Sequence, residues 1–202
     1  MKPRIMVLYY SMFANTYLMA KAVERGIQLS QGEAIFRTVP ELLPKEIIEK
    51  NEKIKKAKEM QKDVVIASVK ELENIDGLIL GSPTRFGNMC AQMRNFLDQT
   101  GSLWVKGSLI DKPAGVFCAT ASLHGGQETT LLSMMLTLLH HGAMIVGVPY
   151  NVKELLVAQN GGTPYGPTAV VGEEANIPPT ENDLKIAESL GKRITEIAKK
   201  LM

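Results

Sequence analysis

The chain has 202 residues, 45% of them hydrophobic, and a formal net charge of +2. That length suits one domain with a substantial core, and so mild a charge argues against nucleic acid or an anionic membrane as partner. The two cysteines, Cys90 and Cys118, have no CxxC partner and sit among small or apolar residues, which argues against a disulfide scaffold, a zinc knuckle or an iron–sulfur cluster.

The elements follow in alternation. Residues 4–10 read as a short buried strand. From Ala14 to about Ser30, Met19, Ala22, Val23, Gly26 and Ile27 keep helical spacing. Glu33–Val39 reads as a second strand. A lysine-rich segment, 45–62, follows, with Glu46–Lys50, Glu49–Lys53 and Glu52–Lys56 at i,i+4 spacing, as on a solvated helix or a mobile insert. Leu78-Ile79-Leu80, entered from Ile75 and ending at Gly81-Ser82-Pro83, is a third strand. Met89, Met93, Phe96 and Leu97 mark the next helical face. Pro113–Thr120 is a fourth strand, Thr129–Leu139 a helix, and Ala143–Val148 a fifth strand. Residues 151–179 are irregular and rich in Gly and Pro, a composition found in functional or disordered segments. Thr180–Leu201 is the last helix, with Thr180 and Asp183 spaced as a capping box.

Strands alternating with helices imply a doubly wound parallel sheet in one α/β domain, residues 1–202. No stretch approaches the length of a membrane-spanning helix, and the first apolar run is too short for a signal-peptide core. The expected setting is the cytoplasm, with no integral membrane segment.

Ligands of such sheets bind beyond the carboxyl ends of the strands, which directs attention to three loops. The first, Ser11 to Thr16, feeds a helix N-terminus and carries hydroxyls and an amide but no charge. Free N–H groups there suit a phosphate monoester, and the same residues suit plain helix capping. GxxxxGK[ST] and GxGxxG are both absent. The second loop, Ser82 to Asn88, pairs Pro83 with Gly87; it suits either the edge of a flat ring or an ordinary strand-to-helix loop capped by Asn88. The third, Ala119 to Gly126, is made of small residues around His124. The helix after it is apolar almost all round, as if one face met another subunit. One phosphate-suited and two ring-suited loops describe a mononucleotide with a large flat head, and flavin mononucleotide (FMN) is the natural candidate.

Six segments share one pattern: Leu8 to Phe13, Gly81 to Met89, Phe96 to Gly101, Gly125 to Thr129, His140-His141-Gly142 and Gly161 to Gly166. Through them the chain resembles the flavodoxin-like NAD(P)H:quinone oxidoreductases of type IV, the Trp-repressor-binding-protein-like family. The resemblance implies a flavodoxin-like three-layer sandwich with a five-stranded parallel sheet in order 2-1-3-4-5, bound FMN, and a homotetramer built as a dimer of dimers. It implies two-electron reduction of a quinone by NADH or NADPH in a ping-pong cycle. Carried over, Ser11, Met12, Phe13, Ala14, Asn15 and Thr16 hold the phosphate. Pro83, Thr84, Arg85, Phe86 and Gly87 hold the isoalloxazine, and Ala119, Thr120, Ala121, Ser122, Gly125 and Gly126 its edge and the ribityl chain. His140 reaches the flavin of a neighbouring subunit as the catalytic residue. Phe13 and Trp104 form an aromatic slot for nicotinamide or quinone. No metal ligands are implied. Phe13 replaces the family's usual Tyr, Ala14 a common Gly and Asn15 a common His. The third loop reads Ala-Thr-Ala-Ser-Leu-His before its glycines rather than a glycine-rich run. Ala14 fits this loop only with a negative φ. An electron carrier or an FMN-dependent interaction protein is the alternative on the same fold, and a hydrolase or phosphate-binding domain a further one.

Overall fold

Strand β1, Arg4–Tyr9, shows how the layers are built. Its side chains alternate, so Ile5, Val7 and Tyr9 enter one core and Met6 and Leu8 the other, and all five are fully buried. A parallel strand covered on both faces needs such a continuous apolar run. Each fully buried side chain of this size contributes about 1.5–3 kcal/mol by leaving water. A computed structural model describes residues 1–202.

β1 pairs in parallel with β2, Glu33–Thr38, on one side and with β3, Gly77–Arg85, on the other. Beyond β3 lies β5, Pro113–Thr120, and then the two-residue β6, Met144–Ile145. The order β2-β1-β3-β5-β6 reproduces the expected parallel arrangement. Helices α1, Asn15–Leu29, and α8, Glu181–Leu201, cover one face through Val23, Ile27, Leu190 and Ile194. Helices α4, Ala91–Asp98, and α6, Gln127–His140, cover the other through Met93, Phe96, Leu131 and Met134. The Thr180–Asp183 capping box forms in both directions, with Thr180 N–H to Asp183 Oδ2 at 2.8 Å.

Three expectations need correction. The fifth strand does not run from Ala143 to Val148. It stops at Ile145, and β7, Thr168–Val170, pairs with the later half of β5 instead. Between them the Gly161–Pro167 segment lies on the sheet edge, where Pro167 C=O accepts from Cys118 N–H and Pro164 C=O from Val148 N–H. A Cβ on Gly166 would overlap the Val116 carbonyl, and one on Gly147 the Pro164 carbonyl, so the glycines admit this wedge.

The third strand, likewise, does not end at Pro83. It continues to Arg85 and turns into the antiparallel β4, Asn88–Met89. The two tip residues, Phe86 (φ 51°) and Gly87 (φ 77°), both have positive φ, the signature of a type I′ hairpin. Asn88 is therefore a strand residue, and the helix after it starts behind Cys90.

The lysine-rich segment, finally, is not one helix. Asn51 interrupts it, ending α2, Lys45–Lys50, and capping α3, Glu52–Glu59, by accepting from the N–H groups of Lys53 and Ile54. The three expected i,i+4 ion pairs do not form; Lys53 pairs with Glu174 and Lys55 with Glu52.

Candidate functional site

At the carboxyl edge of β1, β3 and β5 a cleft opens to solvent. It is lined by Ser11, Met12, Phe13, Asn15 and Thr16 from the first loop, Pro83, Thr84 and Arg85 from the second, and Ala119, Thr120 and Ala121 from the third. The three expected loops thus converge on one place.

The first loop is shaped for an anion. None of the backbone N–H groups from Ser11 to Tyr17 donates to an acceptor within the chain, although Ser11, Ala14, Asn15 and Thr16 are buried. Buried N–H groups are almost always paired, so such a run marks where an external acceptor belongs. The partial positive charge of the α1 N-terminus points the same way.

Ala14 departs from expectation. It stands at φ 67°, ψ −11°, in the left-handed region, and forms the N-cap of α1 without a side-chain hydrogen bond. Condensing the loop's N–H groups around one point requires that conformation whichever residue occupies the position. An alanine there retains a glycine-like geometry at a cost in strain of about 1–2 kcal/mol.

Asn15 also has a specific task. Its Nδ2 donates to the Ala175 carbonyl at 3.0 Å, across the mouth of the cleft. Val171, Gly172, Glu173 and Ala175 form the remaining wall of the cleft. The sequence singled out the 151–179 segment by its composition but not these residues, because nothing in their local pattern marks the contact with Asn15.

On the opposite wall, Thr84 Oγ1 accepts from Thr130 Oγ1 at 2.8 Å and from Gly87 N–H at 3.3 Å. Arg85 reaches over to the Met12 sulfur at 3.8 Å. Thr120 is held by a buried chain: Thr168 Oγ1 donates to Gln127 Oε1 at 2.6 Å, and Gln127 Nε2 donates to Thr120 Oγ1 at 3.3 Å.

Several expected site residues do not line the cleft of a single chain. Phe86 is fully exposed at the hairpin tip. Gly87 and Gly126 face each other: a Cβ on Gly126 would lie 2.8 Å from the Gly87 Cα, so glycine serves the contact between the second and third loops. Ser122 and Gly125 close a turn of their own, with Gly125 N–H donating to the Ser122 carbonyl. His140 ends α6, about 20 Å from its start by helical rise. It lines a separate groove with Arg94, Leu136 and Thr137. Trp104 lies on α5, Gly101–Val105, which is tied through Lys106 and Glu73 to the 3-10 helix Val69–Asn74 that precedes β3, so it sits at the far edge of the sheet.

The description of the family model that matches residues 3–154 is NADPH-dependent FMN reductase. The chain belongs to this family. Among its relatives, a protein of Geotalea daltonii named NAD(P)H dehydrogenase (quinone) is 46% identical, with 98% of each chain covered. Another of that name, from Solidesulfovibrio magneticus, is 44% identical over 98% of each chain. In architecture the chain is similar to a WrbA-like flavodoxin from Agrobacterium tumefaciens, with TM-score 0.67, 24% identity, and 98% and 99% of the two chains covered.

The FMN of an FMN reductase family member fits this cleft. The unpartnered N–H groups of the first loop match a phosphate, and the apolar lining at Pro83, Ala119 and Ala121 suits the edge of a flat ring. Arg85 and Glu173 are the only charged side chains in the lining. No histidine or cysteine lines the space, as suits a site whose chemistry resides in a cofactor.

Proposed function

We propose that the chain is an FMN-dependent NAD(P)H:quinone oxidoreductase. FMN, when bound, supplies the two-electron transfer between nicotinamide and quinone. The chain supplies binding, orientation and exclusion. Ser11 to Thr16 hold the phosphate by backbone N–H groups and the Ser11 and Thr16 hydroxyls, which anchors the ring against Pro83 to Arg85 and Ala119 to Ala121. Phe13 lines the cleft and offers an aromatic face for stacking. One mouth serves both substrates, so nicotinamide and quinone take turns, an arrangement that suits a ping-pong cycle. The observation that carries the reading is the uninterrupted run of unpartnered N–H groups at the start of α1.

Trp104 and His140 join the site only from other subunits. A homotetramer suits the outer face of α6, where Leu132, Leu136 and Leu139 remain 45%, 60% and 56% exposed in one chain. Within it His140 presents an imidazole to a neighbour's cleft. A cytoplasmic location suits the two free, buried thiols, Cys90 and Cys118. No helix is long and apolar enough to cross a membrane.

The test is steady-state turnover of the FMN-loaded protein with NADH or NADPH and benzoquinone. Parallel double-reciprocal lines are expected. Intersecting lines overturn the shared-mouth cycle, and bound flavin without quinone turnover assigns the chain to electron carriage.

A further inference from the structure

One residue of the lysine-rich segment behaves unlike its neighbours. Lys53, Lys55, Lys56 and Lys62 are exposed, whereas Lys58 turns inward, its side chain 26% exposed. Its Nζ donates to the Ser11 carbonyl at 3.1 Å, pairs with Glu41 at 2.6 Å and stands 4.5 Å from the centre of the Tyr10 ring. Gln61, buried, donates through Nε2 to the same Ser11 carbonyl at 3.3 Å and to the Ala57 carbonyl at 2.7 Å. Glu41 is itself fixed, accepting from the Leu42 and Leu43 N–H groups and from the Tyr10 hydroxyl.

In a trans peptide the carbonyl and the following N–H point in opposite directions, and the chain has no cis peptide. Two donors clamp the Ser11 carbonyl from the side of α3. The Met12 N–H therefore points the other way, and it is one of the groups left without an acceptor. An ammonium on the carbonyl also polarises that peptide and makes its N–H a stronger donor.

We propose that Lys58 and Gln61 are positioning residues for the anion cradle: they orient the Ser11–Met12 peptide so that its N–H faces the phosphate. This rests on the FMN reading above. It gives the insert between β2 and β3 a role in recognising a phosphate monoester, distinct from recognition of the ring.

FMN and riboflavin share ring and ribityl chain and differ only in the phosphate, so the effect belongs in the ratio of their affinities. Both ligands are titrated into the full-length apoprotein by quenching of flavin fluorescence, for wild type, Lys58→Met, Lys58→Arg and Glu41→Gln. Lys58→Met lowers the FMN-to-riboflavin ratio about tenfold, as for loss of a hydrogen bond to a charged group, and leaves riboflavin affinity nearly unchanged. Lys58→Arg restores most of the ratio. Glu41→Gln preserves it, because the contact with Ser11 survives. If Lys58→Met fails to fold, Lys58→Gln carries the same comparison. A ratio unchanged in Lys58→Met, or lowered equally in Glu41→Gln, overturns the proposal and makes Lys58 a residue of the fold alone. A wild-type protein with no preference for FMN over riboflavin removes the FMN reading itself, which separates the two failures.

Discussion

Replacing Asn15 by Ala removes the one buried side-chain tie between the first loop and the 171–175 wall. That wall is anchored where Val171 N–H meets the Thr120 carbonyl at 2.8 Å, and internally by Ala175 N–H to the Gly172 carbonyl at 3.1 Å. Across the cleft it has only two attachments: Asn15 Nδ2 to the Ala175 carbonyl at 3.0 Å, and an ion pair between Lys53 and Glu174. The ion pair is exposed, 55% and 72% for its two side chains, and pairs of that kind contribute about 0–1 kcal/mol. The Asn15 bond is shielded, with the residue 7% exposed, and a net value of about 0.5–1.5 kcal/mol applies. A ligand seated behind the wall leaves when the wall swings aside. Asn15→Ala should therefore raise the FMN dissociation rate about 2- to 13-fold. Glu174→Gln should change it by at most about fivefold, and by less as salt is raised. Stopped-flow displacement of FMN from the loaded protein measures both. Equal rates for Asn15→Ala and wild type, or a larger effect of Glu174→Gln, would refute the assignment of Asn15 as the tie.

Ala14→Gly exchanges about 1–2 kcal/mol of left-handed strain for a freer unfolded chain and a lost buried methyl, each about 0.4–1 kcal/mol, so its melting temperature should lie close to wild type. Ala14→Val, β-branched at the same positive φ, should cost about 1–3 kcal/mol and lower the melting temperature by several degrees; equal melting of the two variants would contradict the strained geometry. Burial raises the Glu41 carboxyl, but hydrogen bonds from Lys58, the Leu43 N–H and Tyr10 outweigh it and hold the group below its ordinary value of 4.5. Its ionised form thus stabilises the native state fully above that value, and the contribution is lost as pH falls through the folded value. The stabilities of wild type and Glu41→Gln should accordingly converge as pH falls below the ordinary carboxylate range, and a gap that stays constant with pH counts against the network. Leu136→Glu places a charge on the exposed apolar face of α6. Sedimentation velocity should then show a smaller species than wild type, with quinone turnover falling along with it, and an unchanged species would remove that face from the interface.

What the sequence revealed, and what it hid, follows from the range of the interactions. β1, α1, β5 and the Thr180–Asp183 box are written in local periodicity and capping chemistry, and each appears within a residue or two of its expected bounds. The split of the fifth sheet position was hidden. β7 is only three residues long and is held by pairing with β5 across more than forty residues of chain. The hairpin at Phe86-Gly87 was hidden because Phe86 adopts a positive φ that its side chain does not advertise. The cleft loops were legible by position in the fold, their fourth wall only by composition. Lys58 was lost among other lysines, though a signal existed: Ile54, Ala57, Lys58 and Gln61 fall at i, i+3, i+4 and i+7, one face of a helix, and these are the residues that turn inward. His140 and Trp104 are named by the family resemblance alone, and a single chain keeps both away from its own cleft.

A crystal structure of the protein grown with FMN tests the phosphate assignment most directly. The expected result is phosphate oxygens within hydrogen-bonding distance of the N–H groups between Met12 and Thr16, with the ring against residues 83–85 and 119–121. A phosphate directed into solvent, or drawn onto Arg85 with the first loop left unpaired, would contradict it.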